Sequence, residues 1–387
     1  MITILEIFFF IVLVLVINSF FIYPLVIYLF GRKKREIQTD SNYQPTISIL
    51  IAAFNEEKVI EERIKNIAGL NYDLGKVEVL IGSDDSSDRT NEILFENEKK
   101  YSWLKPVVSS DRKGKAGILN ELIKKVNNEI VIFTDANTVF EKEVLKNLVR
   151  DFADPKVGGV CGRLILVDNE TIRNEGVEEA KYWQYETFIK YAEGKCGILL
   201  AANGGIFAIR KELYKDIPTE KAVTDDLFVS LSILSQNYKF TFAKDAAARE
   251  YTGLNLLAEY NRKVRFGATN FQTLIYFKNL LWHRNLLLSY SFLSHKVTRW
   301  FLPALLVTLF IFSFFLADVN TLIRKIYFLQ LAFYLLALGG YLLALIKVRI
   351  QIFSIPYFFV VSNTAIAEGF IKFIRNKHSV TWESTER

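Results

Sequence analysis

The chain has 387 residues, 51% of them hydrophobic and 14% aromatic, and its mean hydropathy of +0.19 is too apolar for an ordinary soluble enzyme, so part of it is expected in lipid. The formal charge of +6 has no basic cluster interleaved with aromatics outside the flanks of the apolar segments, so it is read as attraction to an anionic membrane surface, and nucleic acid is not expected as a partner. Cys161, Cys196 and the scattered His283, His295 and His378 lack metal-ligand spacing, which argues against a zinc site and a disulfide framework.

From Ile2 to Phe30 the chain is almost continuously apolar and then turns into "GRKKRE" at Gly31. The run is long enough to span a bilayer, and a cleaved signal would carry its charges before the apolar core. Residues 1–30 are therefore expected to be a transmembrane helix of the cell membrane, with the N-terminus outside and a cytoplasmic chain from Arg32 onward.

Residues 44–251 alternate apolar runs with helical patterns, the signature of an α/β domain. "TISILIAAF" (Thr46 to Phe54) reads as a strand, and the helix after it is expected to start at Asn55 as N-cap, with Val59, Ile60, Ile64 and Ile67 on one face. "KVEVLIGS" and "EIVIFTDA" read as further strands, each with a helix behind it. Parallel strands with helical crossovers are expected, and in such sheets ligands bind at the carboxyl ends of the strands. Asp84, Asp85 and Asp135 stand at those exits.

Residues 252–296 mix apolar and basic residues at helical spacing, as in "AEYNRKVRF", which suits helices lying in the membrane interface. Residues 297–374 hold three apolar blocks. Val297 to Leu316 and Ile326 to Ile346 read as spans, while Ile352 to Ile374 is interrupted by Pro356 and Glu368 and could cross or lie re-entrant. A crossing there would put the tail, residues 375–387, outside, against the pull of Lys372, Arg375 and Lys377.

Seven segments, "SILIAAFNEE", "IGSDDSSDRT", "GKAGILNEL", "FTDANT", "AANGGIFAIRKELY", "VTDDLFVSL" and "RKVRF", occur in an order that resembles the membrane-embedded family 2 glycosyltransferases, the group of the cellulose, chitin and hyaluronan synthases. The resemblance runs from about Thr46 to Gly267. It implies a GT-A fold, Rossmann-like, with flanking transmembrane helices, a nucleotide-activated sugar as donor, and inversion at the anomeric carbon. Asp84 falls on the acid of the family's "DDGS" and would accept hydrogen bonds from the nucleobase. Asp88 suits a helix cap. Lys115, between two glycines, would offset the charge of the donor diphosphate.

Asp135 and Asn137 fall on the acidic positions of the family's DxD motif, which hold the donor through a divalent cation, Mg2+ or Mn2+. Asn137 departs from that pattern, since an amide oxygen can ligate but brings no charge. Asp226 falls on the family's base, which removes the acceptor hydroxyl proton as the hydroxyl attacks opposite the leaving nucleotide. Asp225 beside it is a like-charge neighbour on the acceptor side. Arg265 would meet the departing diphosphate. Arg262, also expected at the donor, replaces the Gln of the polymer synthases, and Phe266 replaces a Trp that stacks on the acceptor sugar. Asn203 and Gly204 would let an acceptor approach the backbone closely. The aromatic residues Trp183 and Tyr185, with Glu186, are assigned no role.

The expected partners are a nucleotide sugar, a glycan or lipid-linked acceptor, and membrane lipids. The departures at Arg262 and Phe266 leave open a synthase that extends and exports a polysaccharide, or an enzyme that adds one sugar to a lipid. A nucleotidyltransferase should carry a Gly-rich loop with Arg and Lys after its first strand, where this chain has the acidic "AAFNEEKVI". A non-enzymatic membrane scaffold that binds a nucleotide sugar is motivated by Asn137 alone.

Overall fold

A computed structural model describes residues 2–33, 39–168, 177–252 and 256–376. Lys34 to Glu36 of the basic cluster, Lys377 with the rest of the tail, and residues 253–255 at the head of the expected interfacial segment lie outside the described residues. The chain forms two compact units, one drawn from residues 27–173 and 183–253, the other from residues 1–26, 174–182 and 254–378.

The first unit is built on an eight-stranded sheet in the order β3-β2-β1-β4-β7-β6-β8-β5. Its strands are β1 (Ile47–Ala53), β2 (Val77–Asp84), β3 (Leu104–Ser109), β4 (Ile130–Asp135), β5 (Thr138–Phe140), β6 (Val157–Asp168), β7 (Phe207–Arg210) and β8 (Lys239–Thr252). All seven residues of β1 are buried, because helices cover both faces of this part of the sheet and an apolar, largely β-branched run fits there. The strands β3, β2, β1 and β4 are parallel, and Ala52 is level with Asp135 and Ala53 with Ser83. That register brings Asp84 and Asp135 to the same edge. Pro106, which has no N–H to give a ladder, sits in the edge strand β3.

The rest of the sheet departs from the expected all-parallel arrangement. β7 pairs antiparallel with β4, with Phe133 opposite Phe207, and the two rings stack at 4.8 Å. Because the two strands run in opposite directions, β7 begins where β4 ends, and the "AANGG" segment arrives beside Asp135. β6 and β8 pair in parallel over most of their length, and β5 closes the far edge antiparallel to β8.

The helix Ile60–Ala68 buries Ile60, Ile64 and Ile67 against β1. Asn55 is not its N-cap. Asn55 takes a left-handed backbone, φ 54°, donates its N–H to Ser86 Oγ (3.1 Å) and accepts the Ser87 N–H at Oδ1 (2.9 Å). Asp88 accepts the N–H of Thr90 (2.9 Å), where the helix Thr90–Glu98 starts, and that of Glu57 (3.0 Å). The acids and hydroxyls that follow β2 thus satisfy backbone donors of two loops.

The helix Gly114–Lys125 lies so close over β2 that a Cβ on Gly82 would overlap the Ile118 side chain. Gly82→Ala is expected to destabilise the protein by about 1–3 kcal/mol, read as a lower midpoint in chemical denaturation.

In the second unit, Thr321–Leu345 and Gln351–Ile374 are long and apolar enough to cross a membrane, as is Ile2–Lys33, whose last residues belong to the first unit. The expected span from Val297 to Leu316 is broken. Helix Leu286–Trp300 meets Leu302–Leu316 at a bend of 71°, where Pro303 stands in the first turn of the second piece and cannot continue the hydrogen bonds of the first. By contrast, Gln351–Ile374 is continuous through Pro356. Its Glu368 is satisfied by the Tyr260 hydroxyl (2.8 Å) and Lys372 (2.9 Å). The helix Leu256–Phe277 packs along it, with Gly267 and Gly369 so close that a Cβ on Gly267 would stand 3.0 Å from the Ile366 carbonyl oxygen.

Candidate active site

The carboxyl ends of β2 and β4, the start of the helix Gly114–Lys125, the segment before β7 and the start of the helix Asp225–Ser235 converge in the first unit. Asp84 is fully buried. Its oxygens accept the N–H groups of Lys113 (2.6 Å) and Gly114 (3.0 Å), and Arg112 Nε lies 3.4 Å away. A carboxylate at the positive end of a helix is favourably placed. In this arrangement Asp84 fixes the turn that carries Lys115. Arg112 lies over the ring of Phe54, 3.2 Å from its centroid.

Lys115 reaches across to both other segments. Its Nζ is 2.8 Å from Asp135 Oδ1 and 2.9 Å from Asp225 Oδ2. Burial by itself would lower its pKa, but the two carboxylates outweigh this and hold it above the ordinary lysine range.

Asp226 stands in the first turn of its helix and accepts the Leu227 N–H at Oδ1 (2.7 Å). Its other oxygen faces Gly204. A Cβ built on Gly204 would lie 3.5 Å from Asp226 Oδ2 and 3.8 Å from Asp135 Oδ2. Each carboxylate therefore has one oxygen held by the protein and the other turned to the same space, which the missing side chain of Gly204 keeps open. Burial and the adjacent Asp225 push the Asp226 carboxyl up to about 6, against the opposing pull of Lys190, Lys115 and the Leu227 N–H.

Asn203 is buried, with its amide spent inside the protein. Its oxygen accepts from Lys190 Nζ, its nitrogen donates to the Gly162 carbonyl (2.8 Å), and Lys190 also reaches the Ala202 carbonyl (3.3 Å). Asn203 thus braces the loop, and Gly204 is the part of "AANGG" that meets the open space. Asn137 turns its amide nitrogen to Glu250 Oε1 (3.1 Å) on β8. Arg262, Arg265 and Phe266 belong to the helix Leu256–Phe277 of the second unit. There Arg265 lies 5.7 Å from the Phe266 ring.

Arg63 was outside the sequence reading. It is buried under the end of β4, donates to Thr134 Oγ1 (2.9 Å) and Asn66 Oδ1 (2.7 Å), and Thr134 in turn donates to the Gly205 carbonyl (2.8 Å). Burial lowers its pKa to about 9, with Asp135 opposing, so it stays cationic at neutral pH. Its signal was a charge on the same helical face as Ile60, Ile64 and Ile67. Lys190 had one too, since Glu186, Lys190 and Glu193 recur at helical spacing and all are buried.

As oxygen donors, the Asp135 carboxylate and the Asn137 amide oxygen suit a hard divalent cation. Among the described residues no group of three or more His, Cys, Asp or Glu could hold a metal ion. The two oxygens fit a hard cation that takes its remaining ligands from outside this pair.

Residues 48–218 match the family model described as "Glycosyl transferase family 2". The chain is 27% identical over 225 residues to a poly-beta-1,6-N-acetyl-D-glucosamine synthase of Staphylococcus epidermidis, covering 56% of this chain and 54% of the relative. A protein of the same name from Staphylococcus aureus is 26% identical over 219 residues, covering 54% and 52%. The chain spans about half the length of these curated relatives. Among solved structures it is similar to a mannosyltransferase from Pyrobaculum calidifontis in complex with GDP-Man and Mn2+, with a TM-score of 0.69 and 21% identity, covering 96% of this chain and 99% of that one. That likeness concerns the fold, which in the α/β unit is GT-A. With its mixed sheet and strand-end carboxylates, the segment of residues 48–218 is a glycosyl transferase family 2 domain.

Proposed function

We propose that the chain transfers a sugar, with inversion, from a nucleoside-diphosphate sugar to a hydroxyl of a growing glycan or lipid-linked acceptor at the cytoplasmic face of the cell membrane. The observation that carries this reading is the pair of oxygens, Asp135 Oδ2 and Asp226 Oδ2, turned toward one space at Gly204.

Asp226 is the base. The acceptor hydroxyl gives its proton to Asp226 Oδ2 as its oxygen bonds to the anomeric carbon, and the bond from that carbon to the diphosphate breaks on the opposite face. A group pushed up to about 6 is ionised at neutral pH and is a stronger base than an ordinary aspartate. Lys115 faces the diphosphate side and balances the charge that grows there. Asp84 and Arg63 hold the turn and the loop that frame the donor. Asp135 and Asn137 would hold Mg2+ or Mn2+, which when bound neutralises the diphosphate. The relatives named as synthases of poly-beta-1,6-N-acetyl-D-glucosamine favour chain extension, and a UDP-sugar donor with polymer export is the form of that reading proposed here. The second reading, a single addition to a lipid acceptor, is motivated by the departures at Arg262 and Phe266, which by themselves decide neither outcome.

Purified protein in nanodiscs is to be given UDP-GlcNAc, UDP-glucose and GDP-mannose with Mn2+ or Mg2+. Release of free nucleotide is expected with at least one donor, and product length separates extension from single addition. No release with any donor, with or without added glycan and lipid acceptors, would overturn the reading.

A further inference from the structure

Asn137 occupies a position where the family's motif has an acid, and the structure shows what stands beside it. β5 pairs antiparallel with β8, with Thr138 opposite Glu250, and the Asn137 amide nitrogen donates to Glu250 Oε1 at 3.1 Å. An aspartate at 137 would set two carboxylate oxygens against each other at this distance, with no N–H to join them. An amide resolves the conflict. Its nitrogen meets Glu250, and its oxygen, on the other branch of the same group, is the atom suited to a cation.

We propose that Glu250 is a positioning residue for the cation site, supplying from β8 the negative charge that Asn137 lacks and fixing the Asn137 amide with its oxygen as the ligand. This rests on the reading of Asp135 and Asn137 as the cation-binding residues. Partners of this kind commonly contribute 10- to 100-fold to metal affinity. The pair also explains why an uncharged residue works at position 137: the charge is still present, displaced by one hydrogen bond across the strand pair.

The test is Mn2+ binding to the full chain in nanodiscs, followed by electron paramagnetic resonance with UDP and with GDP, alongside transfer rates. Glu250→Gln keeps the size and removes the charge, and should weaken Mn2+ binding roughly 10-fold. The charge-swapped pair Asn137→Asp with Glu250→Gln restores one carboxylate and one amide at the same contact, and should return binding to within roughly 3-fold of the wild type. A purely structural role for Glu250 would not produce that rescue, and thermal melting of each variant reports folding separately. Wild-type affinity in Glu250→Gln, or a charge-swapped pair no better than Glu250→Gln alone, would overturn the inference while leaving the cation at Asp135 intact. Equal Mn2+ binding by wild type and Asp135→Ala would instead remove the cation reading, and the role of Glu250 with it.

Discussion

Asp226→Asn should reduce sugar transfer by a hundred- to ten-thousand-fold, the usual contribution of a positioned general base, while nucleotide binding measured by calorimetry stays near the wild-type value. The separation is expected because, in the proposed function, Asp226 serves the acceptor hydroxyl while Lys115 and Asp135 serve the donor. The wild-type pH profile should follow the ionised fraction of Asp226. Only the carboxylate accepts the proton, so kcat/KM is half-maximal near pH 6, rises with pH and levels off above neutrality. A variant that keeps a tenth of its turnover, or a profile flat between pH 5 and 7, would show that another group does this work. A protein that only bound and sensed the donor would be indifferent to the substitution.

Lys115→Met is expected to have the second largest effect. The Nζ joins Asp135 and Asp225, and side chains in this pair of contacts are 22–30% exposed. Without the ammonium, Asp135, Asp225 and Asp226 share one space with less positive charge to hold them. Loss of one charged hydrogen-bonding partner for a diphosphate is worth about 1.5–3 kcal/mol, or roughly 10- to 150-fold in nucleotide affinity. The pH profile should also move upward, since Lys115 helps to keep the Asp226 carboxyl ionised. Lys115→Arg keeps the charge, so its profile should stay in place even if its geometry slows transfer. An unshifted profile in Lys115→Met would mean that burial, Asp225 and Lys190 set the basicity of Asp226 without Lys115.

The sequence was most legible where local and global preferences agree. β1, β2 and β4 are apolar runs buried by helices on both sides, so their hydrophobic signal is strong and their polar ends stand out. β5 and β7, at three and four residues, are too short to show a period. Their antiparallel placement depends on pairings between distant segments. The same limit hid Glu250, whose link to Asn137 spans more than a hundred residues. Asn55 was misread because a residue suited to a helix cap is equally suited to a left-handed turn. The break near the start of the stretch from Val297 to Leu316 was not legible because hydropathy counts apolar side chains and does not register where Pro303 interrupts the backbone. Asp135 and Asp226 were legible as chemistry, but their common orientation toward Gly204 required the antiparallel entry of β7.

Cys161 and Cys196 are enclosed in the α/β unit, 0% and 4% exposed, and burial pushes the Cys161 thiol up to about 12. Alkylating reagents attack the thiolate, so a group this reluctant to ionise and this enclosed is a poor target. The native chain is accordingly a quiet background for reporter labelling. Single cysteines introduced at loop tips could be probed with membrane-impermeant maleimides, and the sidedness of each apolar helix mapped without first stripping the protein of its own sulfhydryls.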